Sequence, residues 1–417
     1  MTPAVPFMVA AVLLLPLLGA GAAWAAPSLA RGNFRAWHVL AVNHLATLGW
    51  GTLTAMGAMY QLFPAMIGAA VRPDRWAAIQ LAVHLVGLML MIAGFLTHTM
   101  PVVVFGGIAV IVSVAGFVVL IIRAIPQRRR WTLTSTGSMM ALGYLVLTVS
   151  WGLVLGINTH HRFWPSLLTH AGVGTHAGMG LVGWFAQLVI SESYYLLPRF
   201  MNGREIGEGR LRFILPLLNG GVAMIAVGAL WTVDILARVG VAMLAVAAAV
   251  YAGDLLRFLA GTRGDRPDLT TQHWWVIWGL TVALAVTGIA WAAGVVPVEG
   301  YRLGAAAGVI VLLGWVTLAI MGQLYKVTPF LMWHYRFAKG MTPLEVPRLP
   351  APYYPREGIA PFYLTATGGV LLSAAVAAGQ PALGVLGGAL LLIGGVGFWY
   401  LMAVSWIRAA AFSPPAP

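Results

Sequence analysis

Residues 181–198 read LVGWFAQLVISESYYLLP, and the same frame occurs twice more, as NHLATLGWGTLTAMGAMYQLFP at 43–64 and VLLGWVTLAIMGQLYKVTP at 311–329. In each copy Gly precedes Trp, a Tyr follows ten residues later, and Pro closes the frame four residues after that. The tryptophans are Trp50, Trp184 and Trp315, so the copies are spaced by 134 and 131 residues. One such match carries little weight. Three at near-constant spacing mark an internal repeat.

Each frame lies inside a long apolar run. Hydrophobic residues make up 60% of the 417-residue chain and charged ones 8%, too few polar groups to cover a water-soluble surface. Runs of about 20 apolar residues suit membrane-crossing helices. They fall near 4–26, 37–64, 76–98, 100–124, 133–158, 167–198, 211–231, 234–259, 273–294, 301–330, 359–378 and 382–408. The runs are continuous, unlike the alternating pattern of a lipid-facing barrel. The expected fold is all-α and polytopic: about twelve transmembrane helices in a single membrane domain, 1–417. Its three pseudosymmetric four-helix units span approximately 1–130, 131–265 and 266–408, and the repeated frame marks the second, sixth and tenth helices.

The net charge of +13 is unevenly placed. With twelve spans, nineteen of the 24 basic residues fall on one side, among them Arg128, Arg129 and Arg130, while Arg31, Arg35, Arg162, Arg238 and Arg302 fall on the other. The positive-inside rule makes the richer side cytoplasmic, with both termini there, in a cell inner or plasma membrane. The run QRRR at 127–130 then reads as a topology anchor against lipid headgroups, so the bilayer and not nucleic acid is the expected partner. The first span, MTPAVPFMVAAVLLLPLLGAGAAWAA, resembles a secretory signal but lacks the basic leading segment, and it is expected to be a retained helix.

The chain has no cysteine, which excludes disulfides, iron–sulfur clusters, a C-x-x-C-H heme attachment and thiolate-ligated copper. Any metal must use His, Met or oxygen ligands. Within the repeated frame His44 stands six residues before its Trp and His176 eight before, whereas the tenth helix has Ala307 and Val309 at those places. Polar side chains are expensive in lipid and are kept there for a task. Two readings of the pair are metal ligation and hydrogen bonding to backbone carbonyls in a crowded bundle.

Twelve helices, threefold internal repetition, cytoplasmic termini and marked second, sixth and tenth helices resemble subunit I of the heme–copper oxidase superfamily. The likeness is nearest to cbb-type oxidases and nitric oxide reductases, whose metal-bearing helices end in a run similar to YYLLP at 194–198. The resemblance implies His-x-His on the tenth helix at eight and six residues before Trp, ligating the high-spin and low-spin hemes. It also implies a second low-spin ligand on the second helix, a copper ligand on the sixth and a His-His pair on the seventh. The chain lacks the tenth-helix pair, and its seventh helix, RFILPLLNGGVAMIAVGALW, has no histidine.

Two residues turn a helix by about 200°, so the six-before and eight-before positions point to opposite neighbours. Rotating the family's low-spin site one unit around the ring pairs the six-before place of the second helix with the eight-before place of the sixth. Those residues are His44 and His176, which implies one bis-histidine heme b in a pore that the family leaves empty. A different use of the same residues makes His176 the sole axial ligand, with His44 and His98 on a nearby metal; copper is disfavoured.

His160, His161, Arg162 and His170 lie on the same external side, where they either bond the heme propionates or serve as ordinary interfacial residues beside Trp164. His84 is expected to pack. Glu192 reads either as a proton-entry group or as the partner of Lys326 or an interfacial Arg. Three functions follow: a b-type cytochrome passing electrons from a donor protein or quinol, or sensing a gas; a divergent terminal oxidase or nitric oxide reductase; and a heme-free membrane scaffold or assembly partner.

Overall fold

A computed structural model describes residues 4–69, 75–168, 170–201, 203–262, 268–296, 298–337 and 356–411. The chain is an all-α polytopic membrane protein. Twelve long helices follow one another among the described residues: Ala4–Ala30, 37–67, Arg75–Leu96, Met100–Ile122, Leu133–His161, 170–200, Leu211–Leu230, Asp234–Ala260, Leu269–Ala292, 300–337, Ile359–Ala378 and Pro381–Ala411. Eleven are long and apolar enough to cross a membrane. The second, 37–67, is as long but carries Asn43, His44, Thr47 and Gln61, which lower its apolar character. Outward faces are greasy, with Phe105 68% and Val286 61% exposed, as expected where lipid is the solvent.

Most boundaries shift from expectation, the first helix running on to Ala30 and the tenth to 337, and two of the shifts have a visible local setting. The ninth helix starts at Leu269 and not at 273, because the Asp268 side chain accepts from the Thr271 amide at 2.8 Å and caps it. The third helix ends at Leu96, leaving His98 beyond it in a left-handed conformation at φ 56°.

The repeat extends into packing. In each marked helix one stretch widens to π-helical geometry around the Gly-Trp pair: Leu45–Thr52, Met179–Ala186 and Ile310–Val316. Such wide turns inside α-helices often occur at functional sites. The Tyr ten residues after each Trp packs against an aromatic ring on the last helix of its own unit. The pairs are Tyr60 with Phe117 at 5.1 Å, Tyr194 with Tyr251 at 6.3 Å and Tyr325 with Phe398 at 5.3 Å. The last two helices of each unit cross at glycines nineteen residues apart, Gly87 with Gly106, Gly221 with Gly240, and Gly368 with Gly387. A Cβ added at Gly87, Gly221 or Gly368 would come within 2.7–2.9 Å of the facing glycine's carbonyl oxygen, so only glycine permits these crossings.

Candidate functional site

The wide turns place the two histidines of the repeated frame opposite each other. His44 is the last residue before the π-helical stretch of the second helix, and His176 lies three residues before that of the sixth. Their ring centres are 6.3 Å apart and their planes are inclined by 25°. Both rings are half-buried within the bundle.

Each ring is held from behind. Nδ1 of His44 donates to the Leu40 carbonyl at 2.8 Å, which leaves Nε2 with its lone pair, the tautomer a metal ligand needs. The other face of His44 rests on Phe95 at 5.0 Å. Nδ1 of His176 lies toward the Thr148 carbonyl without closing a hydrogen bond, so this buried nitrogen has no partner. Gly152 on the fifth helix makes room for that ring, since a Cβ there would come 2.8 Å from His176 Cε1.

The geometry agrees with an imidazole pair sharing one ion. A ligating imidazole nitrogen lies about 2 Å from its metal, so two rings on opposite sides of one ion have centres roughly 6 Å apart. The observed 6.3 Å matches that separation. Hydrogen bonding to backbone holds His44, whereas Nδ1 of His176 has no partner.

The remaining histidines separate into different surroundings. The His98 ring stacks on Trp37 at 5.0 Å, and the series continues from Trp37 to Phe95 at 6.2 Å and on to His44, so His98 reaches His44 only through two aromatic rings. Among the described residues no three His, Asp or Glu side chains converge as a metal-holding group. His160 and His161 end the fifth helix, exposed and edge-to-face at 4.7 Å, and the exposed Arg162 follows at φ 51°. The His170 side chain lies outside the described residues. His84 packs as expected, with Nδ1 3.2 Å from Ser113 Oγ and Nε2 donating to the Leu48 carbonyl at 3.2 Å.

Glu192 departs from its structural reading. Lys326 pairs with Asp268 at the start of the ninth helix and is not available to it. Asp254 on the eighth helix is buried, accepts from Tyr194 Oη at 2.7 Å and is paired with Arg210. Sequence spacing gave no signal for these partners, because each comes from a helix distant in the chain.

Neither a protein-family model nor a curated protein sequence matches the chain.

Proposed function

We propose that the chain is a membrane cytochrome of b type, in which His44 and His176 ligate one heme between the second and sixth helices. The observation that carries this reading is the 6.3 Å separation of the two imidazole rings, one with its Nδ1 proton already committed to a backbone carbonyl. A heme held by these two histidines would supply one-electron redox chemistry. The chain's residues fix ring orientation through Leu40 and Phe95 on one side and Gly152 on the other. His160, His161, Arg162 and His170, at the same membrane face, are the groups proposed to meet the propionates, with a donor protein or quinol as the electron source.

Ala307 and Val309 offer no ligands where the resembling oxidases and reductases carry two, which favours electron transfer or gas sensing over oxygen or nitric oxide reduction. A reduced-minus-oxidised spectrum of purified protein, with pyridine hemochrome and metal analysis, tests the proposal. One low-spin heme per chain is expected. Protein purified from heme-replete cells with no heme would support the scaffold reading instead.

A further inference from the structure

The second, sixth and tenth helices come together at their wide turns, where a Cβ at Gly51 would meet the Phe185 ring at 2.7 Å. Beyond that contact, toward the arginine-rich side, one stripe on each helix continues the inward face. Ala55, Ala58 and Ala65 on the second helix and Ile320, Gln323 and Phe330 on the tenth keep accessible surface between buried neighbours. These residues stand five, eight and fifteen after their tryptophans, the same three offsets on both helices. Equal offsets put these residues at corresponding places about the pseudo-threefold axis.

Glu192 occupies the eight-after position on the sixth helix, seven residues and so nearly two full turns beyond Phe185. It therefore faces the axis with Ala58 and Gln323. It is 6% exposed, its Oε1 has no hydrogen-bond partner, and neither amide atom of Gln323 has one. Among the described residues, the charged groups of the surrounding helices are engaged elsewhere. Lys326 pairs with Asp268, Arg210 and Arg257 with Asp254, and Arg199 lies over the Tyr195 ring while donating to its carbonyl. On the fifth helix Gly137 packs against Ser191, and Tyr60 on the second helix is bonded to Gln80.

A buried carboxylate without a counter-ion must be neutralised, by a proton or by a bound cation. Hard metal cations require several oxygen ligands. Here one carboxyl and one amide face an alanine, a set too small for a metal and sufficient for a proton. We infer that these stripes enclose a hydrated vestibule on the arginine-rich side, and that Glu192 at its inner end is a proton-binding site. The inference is independent of the heme reading.

Infrared spectroscopy of the full chain in detergent tests it. A protonated-carboxyl C=O band absent from Glu192→Gln is expected, fading as pH rises, insensitive to added sodium or potassium, and shifting on transfer to deuterium oxide. Ala58→Trp, which fills the vestibule, should slow that shift about tenfold, equivalent to about 1.4 kcal/mol in the exchange barrier. Ala65→Phe at the mouth gives a second block should the first variant fail to fold. Three results would overturn the inference: no band assignable to Glu192 at any pH, displacement of the band by sodium or potassium at constant pH, or unchanged exchange in folded vestibule-filling variants.

Discussion

Trp184 donates its indole N–H to the Thr52 hydroxyl at 3.1 Å, tying the sixth helix to the second, and Trp50 donates in the same way to Thr317 at 3.1 Å, tying the second to the tenth. A third bond of this kind would run from Trp315 to residue 186, which is alanine. Trp315 instead donates to Thr281 on the ninth helix at 2.9 Å. All three indoles are buried, so a lost acceptor leaves an unpaired donor that costs about 1–3 kcal/mol. Thr52→Val and Thr281→Val should each lower the thermal unfolding midpoint in detergent. Adding Trp184→Phe to Thr52→Val should recover no more than the unpaired-donor part, because the phenyl also leaves a cavity. Wild-type unfolding of Thr52→Val would show that the bond contributes no net stability.

The expected orientation rests on the basic residues, nineteen to five across the twelve spans. Single cysteines at Gln127 and Arg162 in this cysteine-free chain should label from opposite faces with an impermeant maleimide, Gln127 from the cytoplasm. Labelling of both from the same face would reject the arrangement.

The repeated frame made the fold legible because a Gly-Trp pair, a Tyr and a Pro at fixed offsets survive in all three units. The glycine pairs nineteen residues apart were equally present in the sequence, but only the helix crossings reveal that a carbonyl fills the place of each missing Cβ. The π-helical turns were not legible, since apolar periodicity says nothing of one extra residue in a turn. Of the candidate site, the placement of His44 opposite His176 followed from helix rotation, whereas the unpaired Glu192 did not. Its presumed partner Lys326 is drawn away by Asp268, a capping residue that periodicity leaves in a loop.

That capping residue carries a pH dependence. Burial alone would raise the Asp268 carboxyl, but the Lys326 ammonium and the amide and hydroxyl of Thr271 outweigh burial and hold it below the ordinary carboxylate range. A carboxyl with a depressed folded-state value stabilises the fold above its unfolded value, about 3.9, and that contribution is lost as pH falls through the lower folded value. Unfolding midpoints of wild type and Asp268→Asn should therefore differ most near neutrality and converge below about pH 3. A constant difference across that range would exclude the ion pair as its origin.

Turnover separates the cytochrome reading from a terminal enzyme. A binuclear centre needs ligands that Ala307, Val309 and the histidine-free seventh helix do not provide. Purified protein supplied with an artificial electron donor should consume neither oxygen nor nitric oxide above the rate of the donor alone. Sustained turnover would return the chain to the oxidase or reductase class.

The ring pair itself gives the most direct test of the cytochrome reading. His44→Ala and His176→Ala should each lose the heme or convert it to a high-spin form, because either change removes one axial imidazole. His84→Ala removes hydrogen bonds to Ser113 and Leu48 and should cost about 1–3 kcal/mol of stability while leaving the spectrum unchanged. Gly152→Val tests ring position without touching a ligand. Its side chain would enter the space held by His176 Cε1, so low-spin character should weaken although both histidines remain. This pattern, loss at 44 and 176, perturbation at 152 and indifference at 84, is what ligation by the facing rings requires. A normal low-spin spectrum at full occupancy in both histidine variants would place the heme elsewhere and leave the pair as packing residues.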